Sequence, residues 1–460
     1  MENQYVYHAF CDTHLHLVEY GKFLSLVDLR HAKSIGDLVD QCRVVDDSVI
    51  VAFGWNQEQF VEQRYPNASD LDVISMDRPV LLSRICGHVT AVNTFVLEAL
   101  GIRKGHIPQI EGGNIDVDHH GNPTGIFRES ARVLLKDAGY YNGTVEMVKA
   151  NILVAQMDLL AKGIVEVHSD DLTCYPNLSA NDILGVFREM AEADLLKVKV
   201  VAQAQGDPEM LAKEKARIEE QLGVDGAFTI GSMKLFVDGS LGARTAHLLS
   251  PYSDDPETSG IPIQSDQALA NICERAYRVG LPLTIHAIGD AAIDRVLTVF
   301  EILQDYGASK DYLSKSGIVH CQIVNLGLLN RMAALGLRAY IQPIFLHEDA
   351  LMVKSRLGDQ RAGESYAFKT MHQMGIPLYL GSDAPIDTPD VIKGLHCAIK
   401  RQTLHVPPVV YRPEEALSLE AALEGYTRTS SKSKQVLLNA SIVDCIENPH
   451  HNCVIGVVED

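Results

Sequence analysis

The chain has 460 residues, 46% of them hydrophobic, enough to bury one large α/β core with a smaller domain beside it. A formal charge of −20, with no lysine and arginine run interleaved with aromatics, argues against nucleic acid and anionic membrane surfaces as partners. No leader-like segment opens the chain, no apolar stretch approaches bilayer length, and the 9 scattered cysteines include no CxxC pair, so a reduced, cytoplasmic protein is expected.

In chain order, the first strand falls at residues 10–17 and carries Asp12-Thr13-His14-Leu15-His16-Leu17. The next barrel-like strand does not come until 164–168, too far for a single crossover, so residues 41–140 read as an insertion covering the active site. The insertion holds one strand-like piece at 79–85 and the turn-rich Gly112, Gly113, Gly121, Asn122, Pro123 and Gly125. From about Asn142 a regular beat sets in: an amphipathic helix, a stopping glycine, a short apolar strand. Asp207 and Pro208 begin one helix that ends near Gly223, and Ser265 caps another, carrying Leu269, Ile272 and Tyr277 and stopping at Gly280. Helices follow from Asp290 to about Tyr306 and through Leu328, Met332 and Leu335 to Gly336. Strands fall at 10–17, 164–168, 198–202, 232–238, 283–286, 318–322, 339–342 and 378–383, which is the number a (βα)8 TIM barrel requires. The chain thus divides into residues 1–40 opening the barrel, the insertion 41–140, the rest of the barrel at 141–430, and a tail at 431–460.

Alternate side chains of a strand share a face, so His14 and His16 point the same way while Thr13, Leu15 and Leu17 point the other. The same parity turns Lys234, His286, His320 and Asp383 inward, each near the C-terminal end of its strand, where barrel enzymes place their chemistry. Any one of these residues alone is compatible with a satisfied core side chain. Together, four imidazoles, one carboxylate and one lysine form a ligand set suited to zinc, iron, manganese or nickel.

With CDTHLHLVEYG at 11–21, RICGHVTAVN at 84–93, GNPTGIFRE at 121–129, KLFVDGSLGARTA at 234–246, HAIGDAAID at 286–294 and GSDAPID at 381–387, the sequence resembles the amidohydrolase superfamily. Within it the likeness is to amidohydrolase family 3, the branch with N-substituted formamide deformylases, and it covers most of the chain. The resemblance implies that His14, His16 and Asp383 bind a first divalent metal, that His286 and His320 bind a second, and that a CO2-carboxylated Lys234 bridges them. It further implies a small β-sandwich beside the barrel. Here the metal motif starts almost at residue 12, and 431–460 ends in His450-His451-Asn452-Cys453, so the sandwich is expected to be largely missing and the tail to be its remnant.

The expected reaction is hydrolysis of a non-peptide carbon–nitrogen bond, an amide or an N-formyl or N-acyl amine, in a small-molecule substrate. A metal-activated hydroxide would attack, and Asp383 would act as base and then deliver the proton to the leaving nitrogen. Asp238, Ser240 and Arg244, after the lysine strand, either bind substrate or form a glycine-rich structural turn. His88 and His168 either reach the pocket, His88 as an electrophile or lid contact, or serve the core. Two alternatives stand beside this reading: a mononuclear deaminase with no use for Lys234, and a non-catalytic scaffold barrel. A homo-oligomer is left open.

Overall fold

The computed structural model describes residues 4–46, 48–84, 89–110, 113–430 and 433–459, which form two compact units. One unit is Met1–Gly21, Val145–Cys174 and Ser179–Asp460; the other is Lys22–Thr144 with Tyr175–Leu178.

The first unit is the barrel. Its parallel strands are β1 (Phe10–Leu15), β2 (Ile164–Ser169), β3 (Lys199–Ala204), β4 (Phe228–Phe236), β5 (Leu283–Ala287), β6 (Gly317–His320), β7 (Arg338–Ile341) and β8 (Leu378–Leu380), each paired with its neighbour in chain order. All eight lie where the apolar runs predict them. The helices between them are delimited by the expected residues. Ser265 caps Asp266–Arg278 by accepting the Ala268 N–H, Asp207 caps Pro208–Leu222 by accepting that of Met210, and Gly336 ends Leu326–Leu335 in the left-handed region. In Asp266–Arg278 the buried stripe is Leu269, Cys273 and Ala276, with Ile272 and Tyr277 only half-buried.

The ring closes between its first and last strands just beyond the end of β8. Asp383 donates its backbone N–H to His14 O at 2.7 Å, and His16 donates to Ala384 O at 2.8 Å. Asp12 ties the same seam, its Oδ1 accepting the N–H of His14 at 3.2 Å and of Ser382 at 3.1 Å. Only glycine fits at position 381, because a Cβ there would stand 2.7 Å from both Asp12 Oδ1 and His14 N. The seam therefore holds the His14 to His16 segment at a set distance from Asp383.

Both ends of this unit meet in a three-stranded antiparallel sheet, in which Lys434–Leu438 pairs with Tyr5–His8 on one side and Val454–Glu459 on the other. The tail at 431–460 thus supplies two strands of a sheet. Among the described residues no helix is long and apolar enough to cross a membrane.

The second unit is built on a six-stranded mixed sheet. Its strand order is Val27–Asp28, Ile50–Trp55, Val80–Arg84, Val89–Val92, Pro123–Glu129 and Gly113–Val117. The sequence pattern predicts only the strand near 79–85. For the inner strands the reason lies in the packing: both their faces are covered, with Leu82, Ile50 and Trp55 in one apolar cluster and Leu81, Val92 and Phe127 in another, while the outer strands Val27–Asp28 and Gly113–Val117 are short and half-exposed. A strand buried on both sides has no polar face, so the alternation that reveals a half-exposed strand is lost.

Candidate metal centre

Five barrel strands bring six predicted residues together. The rings of His14 and His16, both from β1, have centroids 5.6 Å apart. His320, at the end of β6, stands 5.7 Å from His14 and 4.5 Å from His286 of β5. Asp383 Oδ1 lies 3.4 Å from His14 Nε2 and 3.2 Å from His16 Nε2, and Lys234 Nζ of β4 lies 3.3 Å from His14 Nε2.

Each imidazole is oriented by a partner on its far side. His14 Nδ1 is 2.5 Å from Gln203 Oε1, His16 Nδ1 is 2.7 Å from Asp170 O, and His320 Nδ1 is 2.8 Å from Gln342 Oε1. The two amides are themselves held, since Gln203 Nε2 donates to Thr13 O at 3.0 Å and Gln342 Nε2 donates to Tyr340 O at 3.2 Å. An oxygen acceptor requires N–H at Nδ1, which leaves the lone pair of a neutral ring on Nε2. His286 is turned the other way: its Nε2 meets Gly239 O at 3.0 Å, leaving Nδ1 as its free donor atom. Outer contacts of this kind orient metal-ligating histidines.

Asp383 Oδ1 is buried without a hydrogen-bond partner among the described residues, an arrangement that costs stability unless a cation completes it. The donor atoms of His14, His16 and Asp383 all lie within 4.8 Å of one another. Burial pushes the His14 and His320 pKa values down, that of His320 to about 3. Burial would also lower His16, but the Asp383 carboxylate beside it outweighs that effect and raises it to about 10. Burial opposes ionisation of Asp383 in turn, and His16 and His14 overcome it, holding the carboxyl below its usual range. Both shifts have one cause, a carboxylate that favours positive charge beside it, and a divalent ion could supply that charge in place of the proton on His16. Burial lowers the pKa of Lys234, against the opposing pull of Asp170 and Asp383.

Strand parity does not reach the whole set. β8 ends at Leu380, so Asp383 lies past it and owes its direction to a turn in which its φ is 60°. His320 and Cys321, with φ of 77° and 49°, likewise leave β6 in the left-handed region. Such backbone is strained for non-glycine residues and persists where the surroundings enforce it, typically at functional sites.

The remaining predicted residues are placed differently. Asp238 is an anchor: its Oδ1 accepts the Ile288 N–H at 3.1 Å and its Oδ2 those of His247 at 2.9 Å and Gly289 at 2.8 Å, pinning the chain just after His286. Arg244 is engaged by Asp254 through two bonds of 3.0 Å. His168 contacts Glu166 at 3.3 Å and packs 6.4 Å from Tyr340 rather than against the four clustered histidines. Ser240 lines a cavity of about 170 Å³ whose apolar wall is Leu241, Ile288, Phe345 and Ile386. That cavity adjoins the cluster, since Phe345 stacks on the His320 ring at 5.9 Å. His88 lies outside the described residues. A cavity of about 570 Å³ in the second unit, around Arg64, Asp116 and Arg128, holds none of the candidate ligands.

Gln203, Gln342 and Asp170 were not anticipated, although each sits at or just past a strand end, the position that singled out the histidines. A second trio, His347, Glu348 and His405, also has clustered donor atoms. His347 Nδ1 accepts the Leu404 N–H at 3.1 Å, so its Nε2 carries the proton and faces Glu348 Oε1 at 3.3 Å; this is a hydrogen-bonded rim contact with no lone pair to offer a metal.

An eight-stranded parallel barrel with such a cluster at the C-terminal ends of its strands is the architecture of a barrel hydrolase. The sequence profile of the amidohydrolase family matches residues 1–433, and the chain belongs to that family, in the branch with N-substituted formamide deformylases. YtcJ of Bacillus subtilis is 32% identical over 432 residues, 92% of this chain and 78% of that protein. The N-substituted formamide deformylase of Arthrobacter pascens is 26% identical over 379 residues, 80% of this chain and 66% of that protein. The crystal structure of an uncharacterized metal-dependent hydrolase from Pyrococcus horikoshii OT3 matches with a TM-score of 0.78 at 30% identity, covering 98% of this chain and 89% of that one.

Proposed function

We propose that the protein is a metal-dependent amidohydrolase that cleaves a non-peptide carbon–nitrogen bond, an amide or an N-formyl or N-acyl amine, with two divalent metal ions, zinc in the first instance. The observation that carries this reading is the buried, unpartnered Asp383 Oδ1 faced by the Nε2 atoms of His14 and His16. The formamide deformylase and the metal-dependent hydrolase among the similar proteins support it.

In this reading His14, His16 and Asp383 would hold one ion, and His286 through Nδ1 and His320 through Nε2 would hold the other. Burial lowers the pKa of Lys234, which favours loss of the proton that carboxylation by CO2 requires, and the carbamate would offer the ions two oxygens where an ammonium offers none. Bound ions supply Lewis acidity for the scissile carbonyl and make water nucleophilic near neutral pH. Asp383 takes the proton from the attacking water and delivers it to the leaving nitrogen, which is too basic to depart unprotonated. The Asp238 anchor keeps His286 in place, and the apolar cavity wall receives a small substrate.

The test is reconstitution of chelator-stripped protein, elemental analysis at saturation, and a screen of N-formyl and N-acyl amines. Two ions per chain with hydrolysis, both lost in His14→Ala while the circular dichroism is kept, is the expected result. One ion at saturation would instead favour a mononuclear deaminase, and no metal uptake would favour a scaffold.

A further inference from the structure

The polar side chains that line the cavity beside the cluster are almost all hydrogen-bond acceptors, set against the apolar wall of Leu241, Ile288, Phe345 and Ile386. Gln322, two residues past His320, is 4% exposed, and its Oε1 is buried with no hydrogen-bond partner among the described residues. Its orientation is not free: Nε2 donates to Asp349 Oδ2 at 3.3 Å, so Oε1 remains an unmet acceptor. Asp349 and Asp387 line the same cavity, and neither has a lysine or arginine within ion-pair range among the described residues. Asp349 Oδ2 also accepts the Tyr366 hydroxyl at 2.7 Å, and Asp387 Oδ1 accepts the adjacent Thr388 N–H at 2.7 Å. Glu348 adds a third carboxylate at the rim, shared between His347 and His405. Among the described residues no lysine or arginine lines the cavity, and the Ser240 hydroxyl is the one further polar side chain there. Burial, reinforced by the neighbouring acids, pushes Asp349 up to about 6 and Asp387 up to about 7, as expected of carboxylates short of a counter-charge.

An anion in this cavity would meet three carboxylates. A neutral apolar group would leave Gln322 Oε1 unsatisfied. A cationic nitrogen with several N–H donors answers both, with its methylenes against Ile288, Phe345 and Ile386. We infer that the protein selects substrates carrying a positively charged nitrogen, such as an ammonium or guanidinium on a short aliphatic chain, and seats that group against Gln322, Asp349 and Asp387. This rests on the amidohydrolase reading for where the scissile bond lies, but the binding preference can be measured without it.

The experiment is calorimetric titration of the metal-loaded protein with butylguanidinium and with butylurea, a near-isosteric pair that differs in charge and in which neither member has an amine lone pair to offer the metal. Butylguanidinium should bind at least about tenfold tighter, with Asp387→Asn and, separately, Asp349→Asn reducing that ratio several-fold. Equal or tighter binding of butylurea, or a ratio unchanged in both variants, overturns the inference. In parallel, N-formyl substrates with cationic, hydroxyl and carboxylate tails should rank in that order by kcat/KM. Hydrolysis of none of them, with the guanidinium preference intact, counts against the proposed reaction and not against the cation site.

Discussion

Lys234 Nζ stands 3.4 Å from Asp170 Oδ2 and 3.3 Å from His14 Nε2, and both the lysine and the aspartate side chains are wholly shielded from solvent. This pair separates the two charge states of Lys234. As an ammonium, it relies on Asp170 for neutralisation and repels divalent ions. As a carbamate, it is an anion that binds them and has no need of Asp170. Lys234→Ala should therefore lose metal and activity, Lys234→Glu should keep part of both, and reconstitution should improve with added bicarbonate. Asp170→Asn should be tolerated in the loaded protein if the carbamate is present. A loss of about 3–5 kcal/mol in its urea unfolding would show that Lys234 remains an ammonium.

The amides behind the histidines should be worth as much as their positions suggest. Gln203→Ala removes the acceptor that keeps the proton of His14 on Nδ1, and Gln342→Ala does the same for His320. Metal affinity is expected to fall about 10–100-fold in each variant, read by competition with a chromogenic chelator. Unchanged affinity in both would mean that the rings are oriented by packing alone.

Gly381→Ala tests the seam. The added methyl would press on Asp12 Oδ1 and His14 N at 2.7 Å, so β1 and β8 must part. A stability loss of about 1–3 kcal/mol is expected, with weaker metal binding because His14 and Asp383 move apart together. Stability lost with metal affinity intact would separate the seam from the site.

Acid should act on the site through its buried imidazoles. His320 is held down to about 3 and His14 below its ordinary 6.5, both by burial. A folded-state pKa below the unfolded one contributes stability that is complete above 6.5 and is lost as pH falls from there toward 3. Protons compete with metal at the same nitrogens, so the loaded protein should release metal in the same direction. Urea midpoints of the metal-free protein should drop on acidification through this window, and less so in His320→Asn. Parallel pH curves for the two proteins would refute the assignment.

What the sequence by itself determined is what local rules govern. The eight apolar runs became the barrel strands, Ser265 and Asp207 capped the helices they precede, and the two-residue alternation set His14 and His16 on one face. What only the tertiary structure decided is set between residues far apart in the chain. Asp383 reaches the histidines through a positive-φ turn beyond β8 and a bond to His14 O, not through strand parity. Gln203 meets His14 across 189 residues, and Gln322 shares a cavity wall with Asp387. The sheet within Lys22–Thr144 left little trace in the pattern because its inner strands are buried on both faces. Periodicity and capping act over a few residues, whereas these contacts exist only once the barrel has closed and brought its strand ends to one point.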